Sequence, residues 1–93
     1  MIKHIVMWTL KNPADAPAFQ ARLLTCAALV PGTQAFEVAI KTAALSGNCD
    51  VVLYSVFDDA RALLAYQKHP HHQMVSAELG LLRDSRTELD YAV

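Results

Sequence analysis

The sequence predicts an α+β fold in which a four-stranded antiparallel sheet is built in the order β-α-β-β-α-β, the ferredoxin-like arrangement. Two observations predict it. Four segments show the alternation or the continuous apolar run of a strand, and the segments after the first and third strands carry apolar residues at helical spacing. Residues 1–93 make one small domain, and no linker or repeat divides them.

The first half of the chain is predicted to form a strand, a helix and a second strand. Residues 2–10 form the first strand, which is largely apolar on both faces. Asn12-Pro13 then supplies an N-cap and a first-turn proline, and Pro31-Gly32 ends the helix that follows. Residues 35–43 alternate apolar and polar side chains, as a half-buried strand does. The apolar side of the helix comprises Phe19, Leu23, Cys26, Ala27 and Val30.

The second half is predicted to form a strand, two consecutive helical segments and a final strand. The strongest strand pattern spans Asp50 to Phe57 and is nearly continuous in apolar residues. Asp58-Asp59 caps the helix after it, and Pro70 begins a last helix that runs to about Leu82. Residues 83–91 close the chain as a strand with one wet face. Along it Ser85, Thr87, Leu89 and Tyr91 alternate with Asp84, Arg86, Glu88 and Asp90.

One face of this sheet lacks a cover in the predicted fold. Helices cover only one side of a ferredoxin-like sheet, yet the first and third strands are apolar on both sides. Ile5 and Met7 lie opposite Val6 and Trp8, and Val52 and Val56 lie opposite Leu53 and Phe57. Because the chain has no further element to bury the second face, the sequence predicts a homodimer that packs sheet on sheet about a two-fold axis.

The composition argues against several classes of partner. The formal net charge is −1 and the charges are scattered, so no basic stripe for nucleic acid is present. The longest uncharged stretch, Leu23 to Phe36, contains Pro31-Gly32 and is too short to span a bilayer. The apolar N-terminal run lacks a small-residue cleavage site. We expect a soluble, cytoplasmic protein that binds neither nucleic acid nor membranes.

The sequence also lacks the signals of common cofactor sites. It has only three glycines, none in a phosphate-binding loop, which argues against nucleotide cofactors. Cys26 and Cys49 have neither the spacing of a zinc site nor that of a redox pair, so two free thiols are expected. His71 and His72 are adjacent and diverge by about 100° on a helix, with no carboxylate or Cys close in sequence to complete a metal set. We therefore predict neither a metal nor a cofactor.

Three of the four histidines lie within four residues around Pro70. His69 precedes the proline and is expected to cap a helix end. His72 falls in the first turn of the last helix and shares a face with Val75 and Leu79, so its imidazole is predicted to point toward the apolar interior. A titratable ring aimed at a core marks a candidate functional residue. The alternative is a structural histidine that a backbone carbonyl or Tyr66 satisfies.

Four blocks of the sequence resemble one known family. They are the opening Met-Ile-Lys-His-Ile-Val-Met-Trp-Thr-Leu, the central residues 50–59, the Tyr66-Gln67-x-His69-Pro70-x-His72-Gln73 block and the closing Arg86-x-x-Leu89-Asp90-Tyr91. Together, and in this order, they resemble the stress-responsive A/B barrel domain family, called Dabb. The resemblance spans essentially the whole chain and implies a dimeric α/β barrel.

The resemblance also implies three catalytic candidates. The plant olivetolic acid cyclases, more distant relatives in this family, close a polyketide ring by a cofactor-free aldol reaction, and their functional positions correspond to His72, Tyr66 and His4. A neutral imidazole can remove an acidic proton between two carbonyls while a phenol hydrogen-bonds the enolate. Leu23 stands where a further pocket tyrosine is expected, which implies a drier pocket and leaves the substrate open, so the polyketide is not carried over as substrate. For His4 and Tyr66, simple core packing is the alternative.

Three functions remain open at this stage. The first is a homodimer that binds a small apolar or aromatic molecule between sheet and helices, in a pocket lined by Val6, Trp8, Leu23, Ala27, Val75 and Leu79. The second is a cofactor-free cyclase or isomerase with His72 as general base, partnered by Tyr66 and His4. The third, drawn from other dimeric α/β barrels, is a haem-handling or monooxygenase-type protein in which a helix histidine would be an axial ligand.

Overall fold

The computed structural model describes all 93 residues. The elements are β1 (Ile2–Leu10), α1 (Ala16–Leu24), β2 (Thr33–Ile40), β3 (Val51–Phe57), α2 (Ala60–Lys68), α3 (Pro70–Gly80) and β4 (Arg83–Ala92), with a 3-10 turn at Pro13–Asp15 before α1. The four strands form one antiparallel sheet in the order β2-β3-β1-β4. The predicted ferredoxin-like fold is confirmed.

The first helix is shorter than the sequence predicts, because α1 ends at Leu24 and not near Pro31. The Thr25 hydroxyl donates to the backbone carbonyl of Arg22 at 2.6 Å, and the N–H groups of Thr25 and Cys26 bond carbonyls three residues back. Such bonds tighten and terminate a helix. Cys26 is still buried, and both cysteines are free as predicted.

The break between α2 and α3 lies where the sequence predicts it. Asp59 caps α2 by accepting from the Ala62 N–H at 2.9 Å. His69 is both the last cap of α2 and the first cap of α3, and its Nδ1 accepts from the His71 N–H at 3.1 Å. The last helix stops two residues before the predicted end at Leu82, whose carbonyl instead accepts from the Lys11 N–H at 3.0 Å, beside the β1–β4 ladder.

The core lies between the helices and one face of the sheet. Trp8 of β1 packs edge-on against Phe19 of α1, with ring centroids 5.0 Å apart. The other large buried side chains on this side include Val6, Leu23, Leu53, Phe57, Leu63, Tyr66, Val75 and Leu79. None of the helices combines the length and the apolar character that a membrane crossing requires.

The sequence predicts that only one face of the edge strand β4 is exposed to water. In the structure every residue of β4 is exposed. Arg86, Glu88 and Asp90 pair with Trp8, Val6 and His4, so the charged residues lie on the helix side of the sheet. The helices leave this edge of the sheet uncovered. On the opposite face Leu89 pairs with Ile5, and Leu89 is 63% exposed.

Candidate functional site

A cavity of about 310 Å³ opens between α3, α1 and the β1–β4 part of the sheet. It is lined by Trp8, Leu23, His72, Val75, Ser76, Leu79, Gly80, Arg83 and Arg86. Its volume lies near the lower end of small-molecule sites, which begin at about 300 Å³.

Four of the six predicted pocket residues line this cavity, namely Trp8, Leu23, Val75 and Leu79. Val6 does not line the cavity and belongs to the hydrophobic core instead. Ala27 does not, because α1 ends before it and leaves it in the following turn. The cavity is also less apolar than predicted, since Ser76 and two arginines belong to its wall.

His72 brings a basic nitrogen to the cavity wall. Its Nδ1 lies 3.1 Å from the backbone carbonyl of Gln67. A carbonyl only accepts hydrogen bonds, so Nδ1 carries the proton and Nε2 holds the lone pair of the neutral ring. Burial lowers the pKa of His72 below its usual range. Electrostatic interaction with His4, Arg86 and His69 lowers the pKa further, whereas the hydrogen bond to Gln67 raises it. The ring is therefore neutral at pH 7.

Tyr66 lies directly against His72 on the core side. The ring centroids are 4.5 Å apart, and Phe57 and Phe36 contact the same tyrosine ring at 5.2 and 5.9 Å. The Tyr66 hydroxyl is buried and has no hydrogen-bond partner. Burial strongly raises the pKa of Tyr66, so the hydroxyl keeps its proton at neutral pH.

His4 completes a row of three rings from three different elements. It is 2% exposed on β1, and its ring centroid lies 6.3 Å from that of Tyr66. Its Nδ1–H donates to the Asp90 carboxylate at 2.5 Å. The structure thus brings His4, Tyr66 and His72 together in the predicted cluster. Only His72 lines the cavity, and the other two lie behind it.

The family model of the stress responsive A/B barrel domain, Dabb, matches residues 2–93. The chain belongs to the Dabb family. No curated protein sequence matches it significantly. These 92 of 93 residues include every element of the sheet and every ring of the cluster described above.

Solved structures show the same fold over the whole domain. A dimeric ferredoxin-like protein of unknown function from Thermobifida fusca is 21% identical, with a TM-score of 0.87 over 99% of this chain and 90% of that one. A Dabb family protein from Mesorhizobium loti is 22% identical, with a TM-score of 0.80 over 99% and 95%. SnoaB, a cofactor-independent oxygenase from Streptomyces nogalater, is 16% identical, with a TM-score of 0.80 over 99% and 91%.

Sequence reasoning missed three charged residues of this Dabb site. Asp90 orients His4, and Arg83 and Arg86 line the cavity. The sequence predicts that the face with Arg86 and Asp90 meets water, because alternation along β4 does not reveal which side of the sheet each face meets, and it gives Arg83 no role. The pairing of Asp90 with His4 and of Arg86 with Trp8 decides that question. A correct β1–β4 register is the signal that identifies these residues.

A mixed nitrogen and oxygen donor set also forms where β1 meets β4. Ligand atoms of His4, Glu88 and Asp90 lie within 4.8 Å of one another. Such a set suits a divalent metal in principle. Asp90 already accepts from His4, and Glu88 accepts from Arg86 at 2.5 Å, so a cation would compete with both bonds. The sequence prediction that the protein binds no metal stays a prediction.

Proposed function

We propose that this Dabb chain forms a homodimer in which each subunit binds a small aromatic or apolar molecule in the His72 cavity and removes an acidic C–H proton from it without a cofactor. One observation carries the proposal. His72 lines the cavity while its Nδ1 is committed to the Gln67 carbonyl, so the remaining ring nitrogen is a base of defined tautomer.

The chemistry suited to this base is proton abstraction next to a carbonyl group. A neutral imidazole takes the proton on Nε2 and becomes an imidazolium ion, and the substrate becomes an enolate. The Nδ1–H bond to Gln67 strengthens as the ring gains charge, because a carbonyl dipole favours a cation. The lowered pKa of His72 keeps the base unprotonated at neutral pH.

Tyr66 and His4 support the base from the core side. Tyr66 packs against the His72 ring and limits its rotation. Its buried hydroxyl has no acceptor in the chain, and a ligand oxygen would have to displace the His72 ring to accept from it. His4, held by Asp90, packs against the Tyr66 ring. We assign His72 as the catalytic residue and His4 as a positioning residue.

The helix-free face of the sheet supports the homodimer. Ile5, Met7, Leu89 and Tyr91 share this face, and Met7 and Leu89 are 40% and 63% exposed. An apolar face of this kind is unfavourable in water and is typical of an interaction surface. The structural relative from Thermobifida fusca is described as dimeric. We therefore propose that a second copy covers this face, which leaves the cavity on the opposite side free for ligand.

Hydrogen–deuterium exchange tests the proposed reaction without knowledge of the natural product. Benzoylacetone combines an aromatic ring with an acidic C–H between two carbonyls, and its exchange in D₂O can be followed by NMR. We expect the protein to accelerate this exchange and His72→Gln to abolish the acceleration. His71→Gln is the matched control, because His71 is adjacent but bonds Thr25 instead of lining the cavity. Equal rates for His72→Gln and the unmodified protein would refute the proposal.

Cofactor-independent oxygenation is a second candidate, favoured by the likeness of fold to SnoaB. The same base would deprotonate a hydroxyaromatic ring, and reaction of the resulting carbanion with dioxygen would give a quinone and water. Oxygen uptake in the presence of phenolic substrates separates this reaction from simple proton transfer.

A haem-handling role predicts instead a strong visible absorption band after incubation with haem, with His72 as the axial ligand.

A further inference from the structure

The cavity combines an apolar wall with two guanidinium groups. Trp8, Leu23, Val75 and Leu79 contribute the apolar part, Arg83 and Arg86 come from β4, and His72 lines the same cavity. We infer that the ligand of this cavity is an aromatic or apolar carboxylic acid, whose carboxylate binds Arg83 and Arg86 while its ring contacts the apolar wall. This inference rests on the proposed function, because it names the substrate class of the same site.

The backbone places both arginines on the cavity side of β4. Arg86 pairs with Trp8 across the β1–β4 ladder, so the two residues lie on the same face of the sheet. Arg83 pairs with Leu10 at the start of the strand, next to a register shift between Thr9 and Leu10. The space between Gly80 and Arg83 is open, because a Cβ built at Gly80 would meet nothing within 4 Å except Arg83 Nε at 3.9 Å.

The charges of the two arginines are only partly neutralised within the chain. Arg83 forms no salt bridge. Arg86 uses one terminal nitrogen, at 2.5 Å from a Glu88 carboxylate oxygen, and its other N–H groups make no side-chain hydrogen bond. Arg83 and Arg86 are the only Lys, Arg, Asp or Glu side chains in the cavity wall, and Glu88, outside the wall, pairs with one of them. A guanidinium group presents a planar fork of donors that matches a carboxylate, so an acid group is the natural complement.

The size of the cavity restricts the rest of the ligand. About 310 Å³ holds one or two rings with a short substituent. Trp8 offers an aromatic surface, and Leu23, Val75 and Leu79 exclude water from the ring. A carboxylate near Arg86 also offsets one of the positive charges that disfavour protonation of His72, so ligand binding is coupled to the state of the base.

Calorimetric titration with cinnamate and cinnamamide tests the inference, because the two compounds have nearly the same shape and differ in charge. We expect cinnamate to bind the unmodified protein at least about tenfold more tightly than cinnamamide at low salt. The double variant Arg83→Gln/Arg86→Gln should lose this preference and keep its affinity for cinnamamide. Arg61→Gln is the matched control, since Arg61 is a surface arginine of α2 outside this cavity.

A variant that should bind cinnamate more tightly provides a second test of the inference. Glu88→Gln removes the carboxylate that neutralises Arg86, so cinnamate should bind this variant more tightly while cinnamamide binding stays unchanged.

Equal affinity for acid and amide, or a preference that survives in the double arginine variant, overturns the inference. If cinnamamide binds and His72-dependent exchange of benzoylacetone occurs without any acid preference, the inference fails and the proposed function stands. If neither compound binds and no exchange occurs, both fail.

Discussion

The Nδ1 atom of His72 lies 3.1 Å from the backbone carbonyl oxygen of Gln67, across the break between α2 and α3. This bond joins the last turn of one helix to the first turn of the next and selects the tautomer of the imidazole. The change of helix direction at His69-Pro70 makes this hydrogen bond geometrically possible, because His72 would otherwise continue along α2. The proposed base therefore depends on a local backbone feature that the sequence itself encodes.

The pH dependence of the base is the first prediction. The folded-state pKa of His72 lies below its ordinary value of 6.5, so the neutral ring predominates throughout the neutral range. Exchange of benzoylacetone should be constant near pH 7 and fall with a midpoint below 6.5 as the pH decreases. Arg86→Gln should move this midpoint upward, because the Arg86 charge lowers the pKa of His72. His4 and His69 act on His72 in the same direction and remain in this variant. NMR titration of the His72 ring protons gives the midpoint directly, and a value above 6.5 would contradict the burial argument.

The same shift has a consequence for stability. A histidine whose pKa is lowered on folding binds protons more tightly in the unfolded chain. Its contribution to the free energy of unfolding is fully present above pH 6.5 and is lost as the pH falls through the lower folded-state pKa. Comparison of urea unfolding curves for the unmodified protein and His72→Gln across this range isolates the contribution. Identical pH profiles for the two proteins would exclude it.

Removal of the Tyr66 hydroxyl is the second prediction. This buried hydroxyl has no partner, and an unsatisfied buried polar group costs about 1–3 kcal/mol. Tyr66→Phe should therefore leave the free energy of unfolding unchanged or raise it, whereas Tyr66→Ala should lower it by about 3–5 kcal/mol through loss of the buried ring. Denaturant unfolding of the two variants measures both effects. A clear loss of stability in Tyr66→Phe would show that the hydroxyl is hydrogen-bonded in solution.

Removal of the Asp90 carboxylate is the third prediction. His4 is buried and donates its Nδ1–H to Asp90, so Asp90→Ala leaves a buried donor without an acceptor. We expect a loss of about 1–3 kcal/mol in the free energy of unfolding. Asp84→Ala on the same strand is the control, because Asp84 is exposed and makes only a long contact of 3.5 Å with Thr9. Equal unfolding energies for the two variants would argue that the His4–Asp90 bond contributes nothing.

Disruption of the helix-free sheet face is the fourth prediction. Leu89→Lys places a charge on the proposed interface, and we expect it to convert the dimer to a monomer in sedimentation experiments. Leu64→Lys is the matched control, since Leu64 is 51% exposed on α2, away from this face. That variant should remain dimeric. A monomeric unmodified protein at micromolar concentration would refute the homodimer itself.

The element order and the faces of the strands could be predicted because they depend on local periodicity. The alternation from Ile2 to Leu10 correctly separates the buried His4, Val6 and Trp8 from the outward Ile5 and Met7. The proline after His69 correctly places the break between two helices, because its ring is tolerated only at a helix start. The predicted end of α1 near Pro31 was wrong. The Thr25 hydroxyl competes for a helical carbonyl, and apolar spacing does not reveal this competition.

What the sequence by itself determined is therefore the order of the elements, the division of each central strand into two apolar faces and the position of His72 at the start of a helix. Only the tertiary structure decided which charged residues meet the site. His4 and Asp90 are 86 residues apart, and Arg86 reaches the cavity because β4 pairs with β1 in one particular register. A shift of one residue would turn these charges to the other face. Local sequence carries no information on that register, because it arises from the packing of the whole sheet.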